Sequence, residues 1–381
     1  MKYIFILGNN PELSSAEISA VLPQAKIIDS GKEYLVIEND KLDCAGFMTR
    51  LGGTIKIGVV LGESPDFGPV LGAASSVTGK LKFGVSFYGV KKSNFGMQAK
   101  RMLKGKGINS RLVESREPAL SSVIVTKEKC QDFLVLPKYF GLTCAVQDFK
   151  EYGERDFGRP ASDTRSGMLP PKVAKMMINL SGAKPDDVII DPFCGSGTIL
   201  AEALALGYSK IMASDASDRA IADTHKNLSW LIDKFPISNF QFPKNFQFPI
   251  INISNNTVTI FKSDVKELYA KITAGIIDAI ITEPFLGQPI RGNEKPETIE
   301  KIISNLSALY LEAFKIFAQL LKPRGKIVIV IPEWHVGNKI RKMDIFTAIS
   351  KLGFKRLDDG NLIYKRENQK VWRNITVWEK I

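Results

Sequence analysis

Residues 188–198 read VIIDPFCGSGT, and ILAEALALG follows directly. The apolar run ends on an acid, turns through Gly195 and Gly197, and opens a helix, so the glycines sit where strand gives way to helix. Small residues at such a turn let a cofactor lie against bare backbone at the strand's carboxyl end, where open α/β sheets bind ligands. Asp191, Pro192, Phe193, Cys194, Gly195, Gly197 and Thr198 are therefore candidate cofactor contacts. A glycine-rich turn of this kind also suits a dinucleotide, and the neighbouring sequence has to decide.

Downstream, helical stretches alternate with short apolar runs at 210–215 (KIMASD), 258–261 (VTIF), 276–282 (IIDAIIT) and 326–332 (KIVIVIP). That alternation predicts a parallel sheet with helices on both faces, closed by an antiparallel pair from FKRLDDGNLIYKR and QKVWRNITVW. Asp215 ends the second strand, where an acid binds a ribose diol. The acid alone fits NAD equally well, but no GxGxxG is present. Asp264, after the third strand, reads two ways: acceptor for an adenine amino group, or N-cap of the helix VKELYA. ITEPFLGQP (281–289) ends the fourth strand and is expected to face the cofactor. Between the second helix and third strand lies NFQFPKNFQFP (239–249), a near-repeat whose prolines predict a loop: a tolerated insertion, or a surface whose phenylalanines stack on bases.

Upstream, residues 1–62 read strand, helix, strand, strand, helix, strand, the ferredoxin-like split βαβ order. Residues 63–149 form a second α+β unit with strands near 83–89, 110–114, 132–137 and 139–149. Within it, cations cluster between Lys80 and Arg116 against the single acid Glu114, and Lys104, Lys106 and Arg111 lie beside Gly105 and Gly107. The cluster is either a solvated face or a phosphate-binding one, and the glycines favour the second. Residues 150–171 are rich in charge, Gly and Pro and are expected to link this front half to 172–381.

The chain of 381 residues carries a net charge of +12, which suits a polyanionic partner. No apolar run approaches the roughly 20 residues of a membrane span, so no membrane partner is expected. The start lacks a signal-peptide cleavage pattern. Four cysteines without a CxxC pair and two histidines not spaced as ligands predict no metal, free thiols and a cytoplasmic protein.

Taken in order, Asp191 to Thr198, Asp215, Asp264 and Glu283-Pro284-Phe285 resemble the motifs of class I amino-methyltransferases. RDFGRPASDTRSGMLPPKVAKMMINLSG and KGKGINSRLVESREPALSSVIV resemble the interdomain and THUMP segments of the THUMP-containing tRNA guanosine-10 N2-methyltransferases. The resemblance implies a Rossmann-like α/β catalytic domain preceded by N-terminal ferredoxin-like and THUMP α+β domains, with S-adenosylmethionine as cofactor and tRNA as partner. It adds Met168, Leu169, Pro170, Ala216, Ser263 and Val265 to the expected cofactor contacts, and assigns Glu283, Pro284 and Phe285 to catalysis.

The chain departs from the family at that last motif, with Glu-Pro-Phe-Leu where Asp-Pro-Pro-Tyr is usual. Glu283 keeps the charge but reaches roughly 1.5 Å further, one carbon–carbon bond. Two other readings follow: a DNA amino-methyltransferase acting on adenine N6 or cytosine N4, from which residues 1–165 argue away, and a catalytically silent RNA-binding homologue.

Overall fold

The computed structural model describes residues 1–162, 167–235, 257–366 and 369–381, so the 239–249 loop lies outside the described residues. The chain divides into two compact units, Met1–Tyr152 and Gly153–Ile381.

The first unit is built on one eight-stranded sheet. Its strands are β1 (Lys2–Leu7), β2 (Lys26–Ser30), β3 (Tyr34–Glu38), β4 (Thr54–Gly62), β5 (Leu81–Phe87), β6 (Ser110–Leu112), β7 (Gln131–Val135) and β8 (Phe140–Val146), in the order β2-β3-β1-β4-β8-β7-β5-β6. The first four strands, with helices Pro11–Val21 and Cys44–Arg50, form the antiparallel ferredoxin-like arrangement. β1 shows why its sequence is almost wholly apolar: Tyr3, Phe5 and Leu7 pack in one core and Ile4 and Ile6 in another, so both faces are covered. β4 also pairs with β8, so the sheet runs without a break past the expected boundary at residue 62.

Two features of this unit were not legible. Cys44 and Cys144 form a disulfide, with Cα atoms 6.0 Å apart, where free thiols were expected. The partners are 100 residues apart in sequence and meet only because β8 lies beside β4. Lys56 of β4 and Asp132 of β7 form a fully buried ion pair at 2.5 Å, and Ser86 and Thr143 donate to the same carboxylate. A buried pair persists when its remaining hydrogen-bonding capacity is filled in this way.

The second unit carries a nine-stranded sheet: β9 (Val188–Asp191), β10 (Lys210–Asp215), β11 (Thr257–Lys262), β12 (Ile277–Thr282), β13 (Leu321–Val336), β14 (Lys339–Lys342), β15 (Phe354–Arg356), β16 (Ile363–Tyr364) and β17 (Val371–Lys380). The order β11-β10-β9-β12-β13-β17-β15 places the topological switch at β9, between β10 and β12. Strands β9 to β13 are parallel and β17 runs antiparallel to β13, as expected. The expected FKRLDDGNLIYKR strand is split into β15 and β16, both antiparallel to β17, and one short strand, β14, was not expected and pairs with β13. β12 ends at Thr282, opposite Ile329, while β13 continues to Val336. A β13–β17 ribbon therefore projects past the carboxyl ends of the parallel strands.

Part of the segment expected to be a linker is built into this second unit. Arg155 makes two bonds to buried Glu202, at 2.7 and 3.3 Å, and Arg159 donates to Thr198 at 2.6 Å. The backbone N–H and C=O of Ala161 both bond to the Asn227 side chain. Its charged residues look like linker sequence but here satisfy buried partners.

Candidate active site

A cleft of about 560 Å³ opens at the carboxyl ends of β9, β10, β11 and β12. At its centre is the turn after β9. Gly195 adopts φ +52° and a Cβ added there would meet nothing within 4 Å, so the turn offers bare backbone to the cleft. Gly197 serves differently: at φ +83° it is the N-cap of helix Thr198–Ala205, and a Cβ would sit 2.9 Å from Thr224. Among the residues of this turn that line the cleft are its neighbours Ser196 and Thr198, not Gly197 itself. Pro170 is also off the wall, because it is the N-cap of helix Pro171–Ser181 and its carbonyl accepts from Val173 and Ala174.

The other expected cofactor contacts come together. Met168, Leu169, Asp191, Pro192, Phe193, Cys194, Gly195, Thr198, Asp215, Ala216, Ser263, Asp264 and Val265 all line the cleft. Its acids are held by nearby backbone. Asp191 accepts from Phe193 N–H at 3.1 Å and from the Thr282 hydroxyl at 2.7 Å. Asp215 accepts from Ser217 N–H at 2.9 Å and Gly195 N–H at 3.1 Å, one on each oxygen. Asp264 accepts from Lys266 N–H at 2.9 Å, so the N-cap reading holds while the residue also faces the cleft. Burial pushes the Asp191 carboxyl up to about 7, with Asp215 and Glu283 adding to the rise. Burial also raises the Cys194 thiol, which keeps it protonated and a poor nucleophile.

Glu283, Pro284 and Phe285 follow β12 and form the opposite wall. Phe285 is 56% exposed, so it is not packed beneath the loop. Glu283 is held in a way the sequence did not suggest: Arg373 of β17, itself only 4% exposed, bonds to both of its oxygens. Burial raises the Glu283 carboxyl and Arg373 opposes the rise. Leu286, Gly287, Leu309, Ser217 and Arg219 also line the cleft without having been anticipated. A signal existed only for the residues adjacent to the glutamate and Asp215 motifs.

In the first unit, Lys104 and Lys106 are exposed at the end of helix Phe95–Gly105, whose buried Phe95, Ala99 and Leu103 recur every fourth residue. Arg111 is also exposed, but its guanidinium lies 3.4 Å from Glu128. Gly107 was expected to offer its amide to phosphate; at φ +70° it instead terminates the helix, donating to the Lys104 carbonyl. Among the described residues no helix is long and apolar enough to cross a membrane, and no three His, Cys, Asp or Glu are grouped to hold a metal ion.

Comparison with known proteins fits this geometry. The chain is 26% identical over 313 residues to the tRNA (guanine(10)-N2)-dimethyltransferase of Methanothermobacter thermautotrophicus, covering 78% of this chain and 81% of that one. It is 29% identical over 157 residues to the probable tRNA (guanine(10)-N2)-dimethyltransferase of Methanothermococcus thermolithotrophicus, covering 40% of this chain and 81% of that one. The crystal structure of TrmN from Thermus thermophilus shares the fold, with a TM-score of 0.51 at 15% identity over the full length of both chains. Residues 159–347, which carry the cleft and both its walls, match the model of the UPF0020 family, described as an RMKL-like methyltransferase domain. Over that segment, about half of the chain, the protein is similar to the UPF0020 methyltransferase family.

Proposed function

We propose that this protein transfers a methyl group from S-adenosylmethionine to the exocyclic N2 of guanosine in tRNA, at position 10. The observation that carries the reading is the pairing of two walls in one cleft: a glycine turn with three backbone-held acids on one side, and Glu283-Pro284-Phe285 on the other. The cleft volume suits a small-molecule site. The open backbone at Gly195 and the free lone pairs of Asp215 suit a nucleoside with a ribose diol.

The cofactor supplies an electrophilic methyl group; the chain's residues must present the amine to it. An amino group on a purine ring has a delocalised lone pair and is a weak nucleophile. Glu283 and the Pro284 carbonyl act as acceptors for its N–H groups, which localises the lone pair and aims it. The proton displaced on methylation has Glu283 as its nearby acceptor. Phe285, exposed at the rim, offers a stacking face for a base taken out of its stack.

Support for tRNA comes from the similarity to the Methanothermobacter thermautotrophicus dimethyltransferase along most of the chain. Residues 63–149 act on this reading as a THUMP domain and 1–62 as a ferredoxin-like one, with Lys104, Lys106 and Arg111 contacting phosphates. Phosphate contacts set position while the cleft takes one base. Incubation of purified protein with the cofactor and unmodified tRNA, followed by nucleoside mass spectrometry, tests the proposal. N2-methylated guanosine at position 10 is expected; methyladenosine, or no methylated nucleoside at all, would refute it.

A further inference from the structure

Arg373 lies on β17, opposite Pro332 of β13 and Tyr364 of β16, at the base of the projecting ribbon. Its Nε donates to Glu283 Oε1, and its Nη2 donates to Glu283 Oε2 at 3.4 Å and to the Gly167 carbonyl at 2.5 Å. The face of the Tyr364 ring is 5.9 Å from the guanidinium carbon. One rigid, planar group thus ties together the glutamate wall and the backbone just before Met168, and both line the cleft.

We propose that Arg373 is a positioning residue for methyl transfer: it fixes the direction of the Glu283 carboxylate and keeps it ionised. The inference rests on the reading that Glu283 accepts the target amine. A carboxylate has about four lone-pair sites. Arg373 engages each oxygen once, which leaves a site on each for an incoming N–H.

The other titratable groups facing Glu283 make the arginine necessary. Asp191 at the end of β9 and Tyr310 of helix Pro296–Leu320 both interact electrostatically with Glu283, and neither is cationic. Arg373 is the described cation in contact with it. Without it, burial favours the neutral acid, which is a poorer acceptor and cannot take up the displaced proton. The sign follows: turnover needs the ionised form, so rate is lost as pH falls through the Glu283 pKa, and removing Arg373 moves that loss to higher pH.

The test compares wild type, Arg373→Met and Arg373→Lys as full-length proteins, measuring kcat and KM for cofactor and tRNA from pH 5 to 9, with thermal melting alongside. Arg373→Met should lose on the order of 10²-fold in kcat at neutral pH, keep both KM values, and recover part of the rate as pH rises. Arg373→Lys keeps the charge but not the two-oxygen contact, so its acidic limb should stay near wild type while kcat falls. Wild-type kcat in either variant overturns the proposal. So does a lower kcat in Arg373→Met with an unmoved acidic limb, which marks a purely structural pin. If Arg373→Met does not fold, the lysine variant decides: reduced kcat with both KM values and the acidic limb unmoved supports the proposal, and any other pattern overturns it. A wild type that methylates no guanine in tRNA rejects the function reading itself, and is distinguishable because it appears before any variant is compared.

Discussion

The two walls of the cleft hold their carboxylates by different means. On the cofactor side, Asp191, Asp215 and Asp264 each accept from a backbone N–H two residues further on. On the target side, Glu283 is held by a side chain 90 positions away. Local anchoring makes a wall whose function can be read from a short motif; distant anchoring makes one whose geometry depends on sheet topology. The cofactor wall should therefore tolerate changes in β17, while the target wall should fail with them.

The largest effect that sharpens this contrast is expected at Glu283. Glu283→Gln removes the anionic acceptor and should lower kcat by about 10²-fold or more, while calorimetric affinity for the cofactor stays within about twofold of wild type on the same argument, since no cofactor-side acid is touched. A turnover unchanged by this substitution would take Glu283 out of the mechanism. Next, Asp215→Ala removes a charged acceptor from the cofactor wall and should cost about 1.5 to 3 kcal/mol of cofactor affinity, read by calorimetry. Its kcat at saturating cofactor should be much less affected. An unchanged affinity would break the assignment of that wall.

Sequence reading and structure agree where the determinants are local. The succession of strands and helices along the parallel sheet, the turn at Gly195 and the N-cap at Asp264 all follow from hydrophobic period, glycine placement and capping chemistry within a few residues. What could not be read depends on pairing between distant strands. Arg373 reaches Glu283 only because β17 lies beside β13, the Cys44–Cys144 bond needs β8 beside β4, and Lys56 meets Asp132 across β4 and β7. Gly197 and Pro170 lie outside the cleft lining for a related reason. Motif membership does not say which side of a turn faces the ligand, and both are used to start helices.

A smaller effect concerns the basic helix. Replacing Lys104, Lys106 and Arg111 together with Ala should reduce the slope of log affinity for tRNA against log salt by about 2, since each phosphate contact contributes roughly 0.7 to 0.9. Arg111, already close to Glu128, should contribute least of the three. An unchanged slope would mark these cations as a solvated face.

The smallest effect is in stability. The Asp191 carboxyl is raised to about 7 in the folded protein, so it binds a proton more tightly folded than unfolded. Its contribution is then fully present at low pH and is lost as pH rises from about 4 towards 7. Asp191→Asn, which cannot ionise, should gain steadily on the wild type in melting temperature as pH rises from about 4 to 8. A melting difference that does not change with pH would show that Asp191 is not held in its raised state.

The proposed target, the exocyclic amine of guanosine 10, can be deleted from the substrate without altering the protein. A tRNA transcript with inosine in place of guanosine at position 10 keeps the ring and the ribose–phosphate chain but lacks the exocyclic amine. With methyl-labelled S-adenosylmethionine, the wild-type protein should label the guanosine transcript and leave the inosine transcript unlabelled. Equal labelling of the two transcripts would contradict transfer to guanine N2 at that position.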